Sequence, residues 1–178
     1  SDIFTTYEKL LKNQKAPKSI KNQEYSSSAV IFYWGIKNKF DNLDLHNIFF
    51  SENYKSEFDF IFNKKNVSDD FTVYVNITSK DVPKDAPEGC ENWFVMINTP
   101  PDEGQDWESI KNRLRKKTIE KLNKILKVNL ETMIEEEAVM TPPMIAKKTS
   151  SNLGALYGSS SNNKMSAFLR HPNFNSSI

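Results

Sequence analysis

Along this chain the spacing of apolar residues switches between every second position and every third or fourth, and each switch marks an element. In residues 26–38, SSSAVIFYWGIKN, an extended backbone places Val30, Phe32, Trp34 and Ile36 on one face and Ala29, Ile31 and Tyr33 on the other. Large apolar groups on both faces predict a strand at the centre of a sheet, covered from both sides. Residues 71–79, FTVYVNITS, alternate differently. Phe71, Val73, Val75 and Ile77 form an apolar face, and Thr72, Tyr74, Asn76 and Thr78 a more polar one. Further strands are predicted at 46–51 (HNIFFS), at 92–100 (NWFVMINTP) and at 131–142, the last ended by Pro142 and Pro143.

Helical spacing governs the rest. Phe4, Tyr7, Leu10 and Leu11 predict a short helix over 3–12, and Tyr54, Phe58 and Ile61 one over 53–64. The longest element is a helix over 106–127. Its apolar stripe is Trp107, Ile110, Leu114, Leu122, Ile125 and Leu126, and Asp106 and Glu108 occupy the first turn, where the helix dipole favours them. Residues 13–24, with Pro17, read as loop, as does the chain beyond Pro143, where Gly154 and Gly158 mark turns. Strands and helices do not alternate strictly. The pattern therefore predicts an α+β fold: one mixed or mainly antiparallel sheet of about five to six strands, with helices packed on one side. With 178 residues the chain is expected to form a single domain.

Composition narrows the function classes. A net charge of +1 gives no electrostatic ground for binding nucleic acid, and the basic run Lys111–Lys117 falls on the outer face of the long helix, where charge runs are usually solvated. Cys90 is the only cysteine, so neither an intrachain disulfide nor a cysteine metal site can form. There is no apolar run long enough to span a bilayer and no signal-peptide pattern at the start, so a soluble, cytoplasmic chain is expected.

Self-contained catalytic chemistry is hard to find. None of the five glycines makes a G-x-G-x-x-G turn or a phosphate loop. His46 and His171 lack acidic or cysteine neighbours at metal-ligand spacing, and His46, on a strand face with Ile48 and Phe50, reads first as a structural histidine. Of Glu135, Glu136 and Glu137 only the first and last could share a strand face, and solvated carboxylates are the simpler reading.

Whole phrases say more than motifs. SSSAVIFYWGI, LHNIFFSENYKSEFDFIF, DDFTVYVNITSKDVPKDAPEGCENWFVMINTPP and TPPMIAKKTSSNLGALYGSSSNNKMSAFLRHPNF fall in the order found in the bacterial phytoene desaturase family, which this sequence resembles over nearly its whole length. Ala86-Pro87-Glu88-Gly89-Cys90 and Arg170-His171-Pro172-Asn173 are the most specific pieces. The resemblance implies the substrate-binding portion of a larger FAD-dependent oxidoreductase, a phytoene dehydrogenase of carotenoid biosynthesis, with the FAD-binding segments outside this chain on both sides. The fragment alone is then expected to be inactive and to bind no FAD. A carotenoid 3,4-desaturase or isomerase branch would look much the same, and a non-enzymatic lipid- or protein-binding α+β module is the alternative.

The same resemblance implies partners and site residues. A long apolar polyene or carotenoid needs an apolar wall, for which Phe32, Tyr33, Trp34, Phe50 and Tyr74 are the candidates, with His46 beside them; plain core packing is the competing role. Asn162, Asn163 and Arg170 are expected near the boundary with the cofactor, where residues 159–178 cross back to the flavin domain of the same parent chain. Peripheral association of the full enzyme with a membrane is implied as well. No catalytic residue is assigned.

Overall fold

The computed structural model describes residues 2–21 and 24–160. Five strands, β1 (Ser28–Ile36), β2 (His46–Phe49), β3 (Val73–Asn76), β4 (Glu91–Thr99) and β5 (Ile134–Met140), form one antiparallel sheet in the order β2-β3-β4-β1-β5. The α+β class and the antiparallel sheet are as the sequence pattern indicates. The predicted central strand is β1, paired over its full length with β4 and bordered on its other edge by β5. The helices are α1 (Ile3–Thr5), which runs on into a π-helical turn (Thr6–Leu10), then α2 (Lys18–Lys21), α3 (Tyr54–Phe62), α4 (Trp107–Leu126) and α5 (Pro142–Thr149).

Period-two alternation sorts the strand residues into two faces. Val30, Phe32, Trp34 and Ile36 of β1, Val73 and Val75 of β3, and Trp93, Val95 and Ile97 of β4 point to one side, where Trp107, Ile110, Leu114, Ile119 and Leu122 of α4 close over them. Trp34 and Val73, each inside an alternating apolar run, are 2% and 0% exposed. At about 25 cal/mol per Å² of apolar surface, this closed layer is the dominant stabilising term of the fold.

Several local expectations are corrected. In α4 the stripe includes Ile119 and leaves out Ile125, which is 48% exposed while its neighbour Leu126 packs against the core: at about 100° per residue the two cannot both face the sheet. Leu10 is likewise exposed, since the π-helical turn rotates it off the face that buries Tyr7. A 3-10 turn, Leu130–Thr132, takes the place of the start of the predicted strand, and β5 starts at Ile134. Pro142 and Pro143 do not lead into a loop: they occupy the first turn of α5, where their missing N–H groups need no helical partner. That helix packs Ile145 against Ala29 and Ile31 on the other side of the sheet from α4. Gly154 and Gly158 do mark turns, with φ of +70° and +71°.

The basic run on α4 is largely neutralised within the fold. Arg113 pairs with Asp69 at 2.6 Å, Lys111 with Glu108 at 2.6 Å, and Arg115 forks onto Glu131 and Glu137. Hydrogen bonding to Glu131, and then to Glu137, raises the Arg115 pKa above its ordinary value. Lys37 likewise pairs with Glu135 at 2.8 Å. These acidic residues of β5 therefore serve as structural counter-charges.

Candidate active site: an aromatic ribbon on the uncovered sheet face

The face of the sheet turned away from α4 is only partly covered. α5 and Leu156 shield its β1–β5 end, where Ala29 and Ile31 are buried. The remainder is open. Strand register sets its composition, because residues directly opposite one another lie on the same face. Ile48 pairs with Tyr74, Tyr74 with Met96, and Met96 with Ile31. In the adjacent row His46 pairs with Asn76, Asn76 with Phe94, and Phe94 with Tyr33.

Four rings from four strands meet on this face. Tyr33 lies edge-on to Phe94, with ring centroids 5.6 Å apart. Phe94 lies edge-on to Tyr74 at 6.3 Å, and Tyr74 stacks on His46 at 6.0 Å. The result is a continuous aromatic ribbon running across the strands, about 15 Å long at the usual strand spacing. Its rings are held at the distances favoured by aromatic pairs, so the ribbon is shaped before any ligand arrives. Tyr33 and Ile48 are 38% and 54% exposed, large apolar groups that nothing among the described residues covers.

The outer end of the ribbon is polar. The Tyr74 hydroxyl and His46 Nδ1 are 2.7 Å apart, and Asn76 Nδ2 lies 3.2 Å from the same nitrogen while donating to the Leu45 carbonyl at 3.0 Å. A second aromatic run starts at Phe50, beyond the end of β2, and passes through Tyr54, Phe58 and Phe62 of α3.

Of the residues the sequence suggests as a substrate wall, Tyr33, His46 and Tyr74 converge on the ribbon. Phe32 and Trp34 do not: they stack on each other at 5.6 Å in the closed core beneath α4 and present no surface to a ligand. Phe50, 64% exposed, belongs to the separate run along α3. Phe94 and Met96 share this sheet face unforeseen, although strict alternation in residues 92–100 already sets them opposite Trp93, Val95 and Ile97. Asn162, Asn163 and Arg170 lie outside the described residues.

A polar cleft of about 400 Å³ sits apart from the ribbon, between Lys39, Lys80, Glu88 and Cys90. Its floor is structural. Glu91, 3% exposed, pairs with Lys80 at 2.7 Å and accepts from the Phe40 backbone N–H and the Trp93 indole, so both oxygens are engaged.

Comparison with known proteins identifies the group. No family model matches the chain. Curated relatives do. Over 177 residues, 99% of this chain, it is 59% identical to the 1-hydroxycarotenoid 3,4-desaturase of a Flavobacterium species. It is 30% identical over 165 residues, 89% of the chain, to the phytoene desaturase of Phycomyces blakesleeanus. To the 4,4'-diaponeurosporene oxygenase of Staphylococcus aureus it is 32% identical over 160 residues, 88% of the chain. The chain is a domain-sized portion of a carotenoid desaturase-like protein. It spans about a third of the length of the curated relatives it matches: 36%, 28% and 32% of these three.

The FAD that the family resemblance implies does not fit the described residues. A flavin pyrophosphate needs free backbone N–H groups at a helix N-terminus. Asn53 caps α3, with the acidic Glu57 in its first turn; Asp106 caps α4, with Glu108 in its first turn; and α5 opens on two prolines. Each end is already occupied, repels an anion or lacks the donors.

Proposed function

We propose that this chain is the substrate-holding part of an FAD-dependent oxidoreductase that desaturates a carotenoid, and that the aromatic ribbon is the wall along which the polyene lies. The observation that carries the reading is the run Tyr33–Phe94–Tyr74–His46 on a sheet face left open by α4 and α5, in a chain 59% identical to a 1-hydroxycarotenoid 3,4-desaturase. A conjugated polyene is long, flat and apolar. A row of ring edges and faces offers it dispersion contact and a dry surface without polar groups left unpaired. That likeness supports a hydroxylated carotenoid as the substrate and the 3,4 position for the new double bond. The flavin domain belongs to the rest of the parent chain, and FAD bound there is the two-electron acceptor. Within the described residues no helix is long and apolar enough to cross a membrane. A cytoplasmic parent that meets its lipid-soluble substrate at a membrane surface completes the reading.

The test uses the full-length parent protein with FAD and a hydroxylated carotenoid. The product is expected to be lighter by two hydrogens per turnover, with its absorption shifted to the red. Phe94→Leu, which removes the ring at the middle of the ribbon while keeping most of its volume, should lower kcat/KM by about tenfold with only a small change in melting temperature. No dehydrogenated product from the wild-type protein would overturn the reading.

A further inference from the structure

We infer that His46 is a specificity-determining residue that reads an oxygen atom at one end of the polyene, through a hydrogen bond donated by its Nε2–H. The inference rests on the reading of the ribbon as the polyene wall and adds to it the selection of an oxygenated end.

The proton assignment comes from the neighbours of Nδ1. The Tyr74 hydroxyl approaches it at 2.7 Å. The Asn76 side-chain amide, whose nitrogen is fixed by donating to the Leu45 carbonyl at 3.0 Å, lies 3.2 Å from the same atom. Two donors converge on Nδ1, so that nitrogen is the acceptor and the hydrogen of the neutral ring sits on Nε2. Among the described residues Nε2 has no hydrogen-bond partner, and the ring is exposed on the edge strand β2.

Position gives this donor its meaning. It stands at the outer end of a ribbon whose other members, Tyr74, Phe94 and Tyr33, are aromatic, beside Ile48. An apolar track that ends in one oriented donor is complementary to a long hydrocarbon that ends in one acceptor oxygen. Stacking on Tyr74 and the bond to Nδ1 fix the ring plane, so the donor is aimed before the ligand binds. A hydrocarbon end placed there would strip water from Nε2–H and return nothing, which is how a built donor discriminates.

The experiment compares kcat/KM of the full-length enzyme for two polyenes of equal length, one with a terminal hydroxyl and one without. Wild type should favour the hydroxylated polyene. His46→Leu should lower that preference by about tenfold, and His46→Gln, which keeps a side-chain N–H donor, should restore part of it. Melting temperatures of both variants should stay near wild type, since the ring is exposed. Activity on both polyenes with an unchanged preference in His46→Leu would overturn the inference alone. An equal loss on both polyenes would reduce His46 to a packing role and overturn it as well. A wild-type enzyme that acts on neither polyene would remove the polyene reading and this inference together.

Discussion

The indole N–H of Trp34 donates to Glu137 Oε2 at 2.8 Å, and the same carboxylate receives Arg115 Nε at 2.8 and 3.0 Å. One side chain on β5 thus links the core tryptophan of β1 to the long helix α4. Glu137→Ala should destabilise the protein by about 2 kcal/mol, because the partly buried indole donor loses its acceptor and Arg115 keeps only Glu131. Glu137→Gln should lose less, since its amide oxygen still serves Trp34. Urea unfolding monitored by tryptophan fluorescence separates the two; equal losses would show that the carboxylate charge, not the indole bond, matters.

Glu91 should be the more costly carboxylate to remove. It is 3% exposed and satisfies Lys80, the Phe40 N–H and the Trp93 indole together. Glu91→Ala leaves a mostly buried lysine and two donors without this acceptor, so a loss of about 3–5 kcal/mol is expected in the same unfolding assay. A loss under about 1 kcal/mol would mean that water replaces the carboxylate readily.

Gly154 is a steric requirement as well as a turn. Its φ is +70°, and a Cβ there would lie 2.3 Å from the Pro142 carbonyl oxygen, at the start of α5. Gly154→Ala should therefore cost more than the roughly 1–2 kcal/mol of the left-handed backbone alone, because α5 must shift. Gly89 is the control. Its φ is +78° with nothing within 4 Å of the added Cβ, and Gly89→Ala should show the backbone cost only. Thermal melts of the two variants side by side measure the difference.

The rotation of α4 has its own check. Leu122 is fully buried and Ile125 is 48% exposed. Leu122→Ala should cost about 2–5 kcal/mol, whereas Ile125→Gln should change stability by less than about 0.5 kcal/mol. Equal effects would place Ile125 back on the core stripe.

The legible and illegible parts of this fold divide along physical lines. β1, β3 and β4 are readable because their alternation is local, and α4 because its stripe recurs along its whole length. α5 is not, because a proline pair can end a strand or begin a helix, and the choice is made by packing against Ala29 and Ile31, far away in the chain. Alternation also yields two faces for residues 29–36 without saying which one a helix covers. Hence the substrate wall implied by the resemblance takes in Phe32 and Trp34, which lie in the core, together with Tyr33, which lies on the ribbon. The ribbon itself draws on positions 33, 46, 74 and 94, and only the strand register brings them together. Phe94 is hidden for that reason: nothing near it in the chain announces its neighbours.

Tyr33 and Trp34 are consecutive in the chain and face opposite sides of one strand. Descent with modification can therefore treat them separately. Exchange at 33, 46, 74 or 94 alters the exposed aromatic surface, while exchange at 32, 34, 93 or 95 disturbs the closed layer beneath α4.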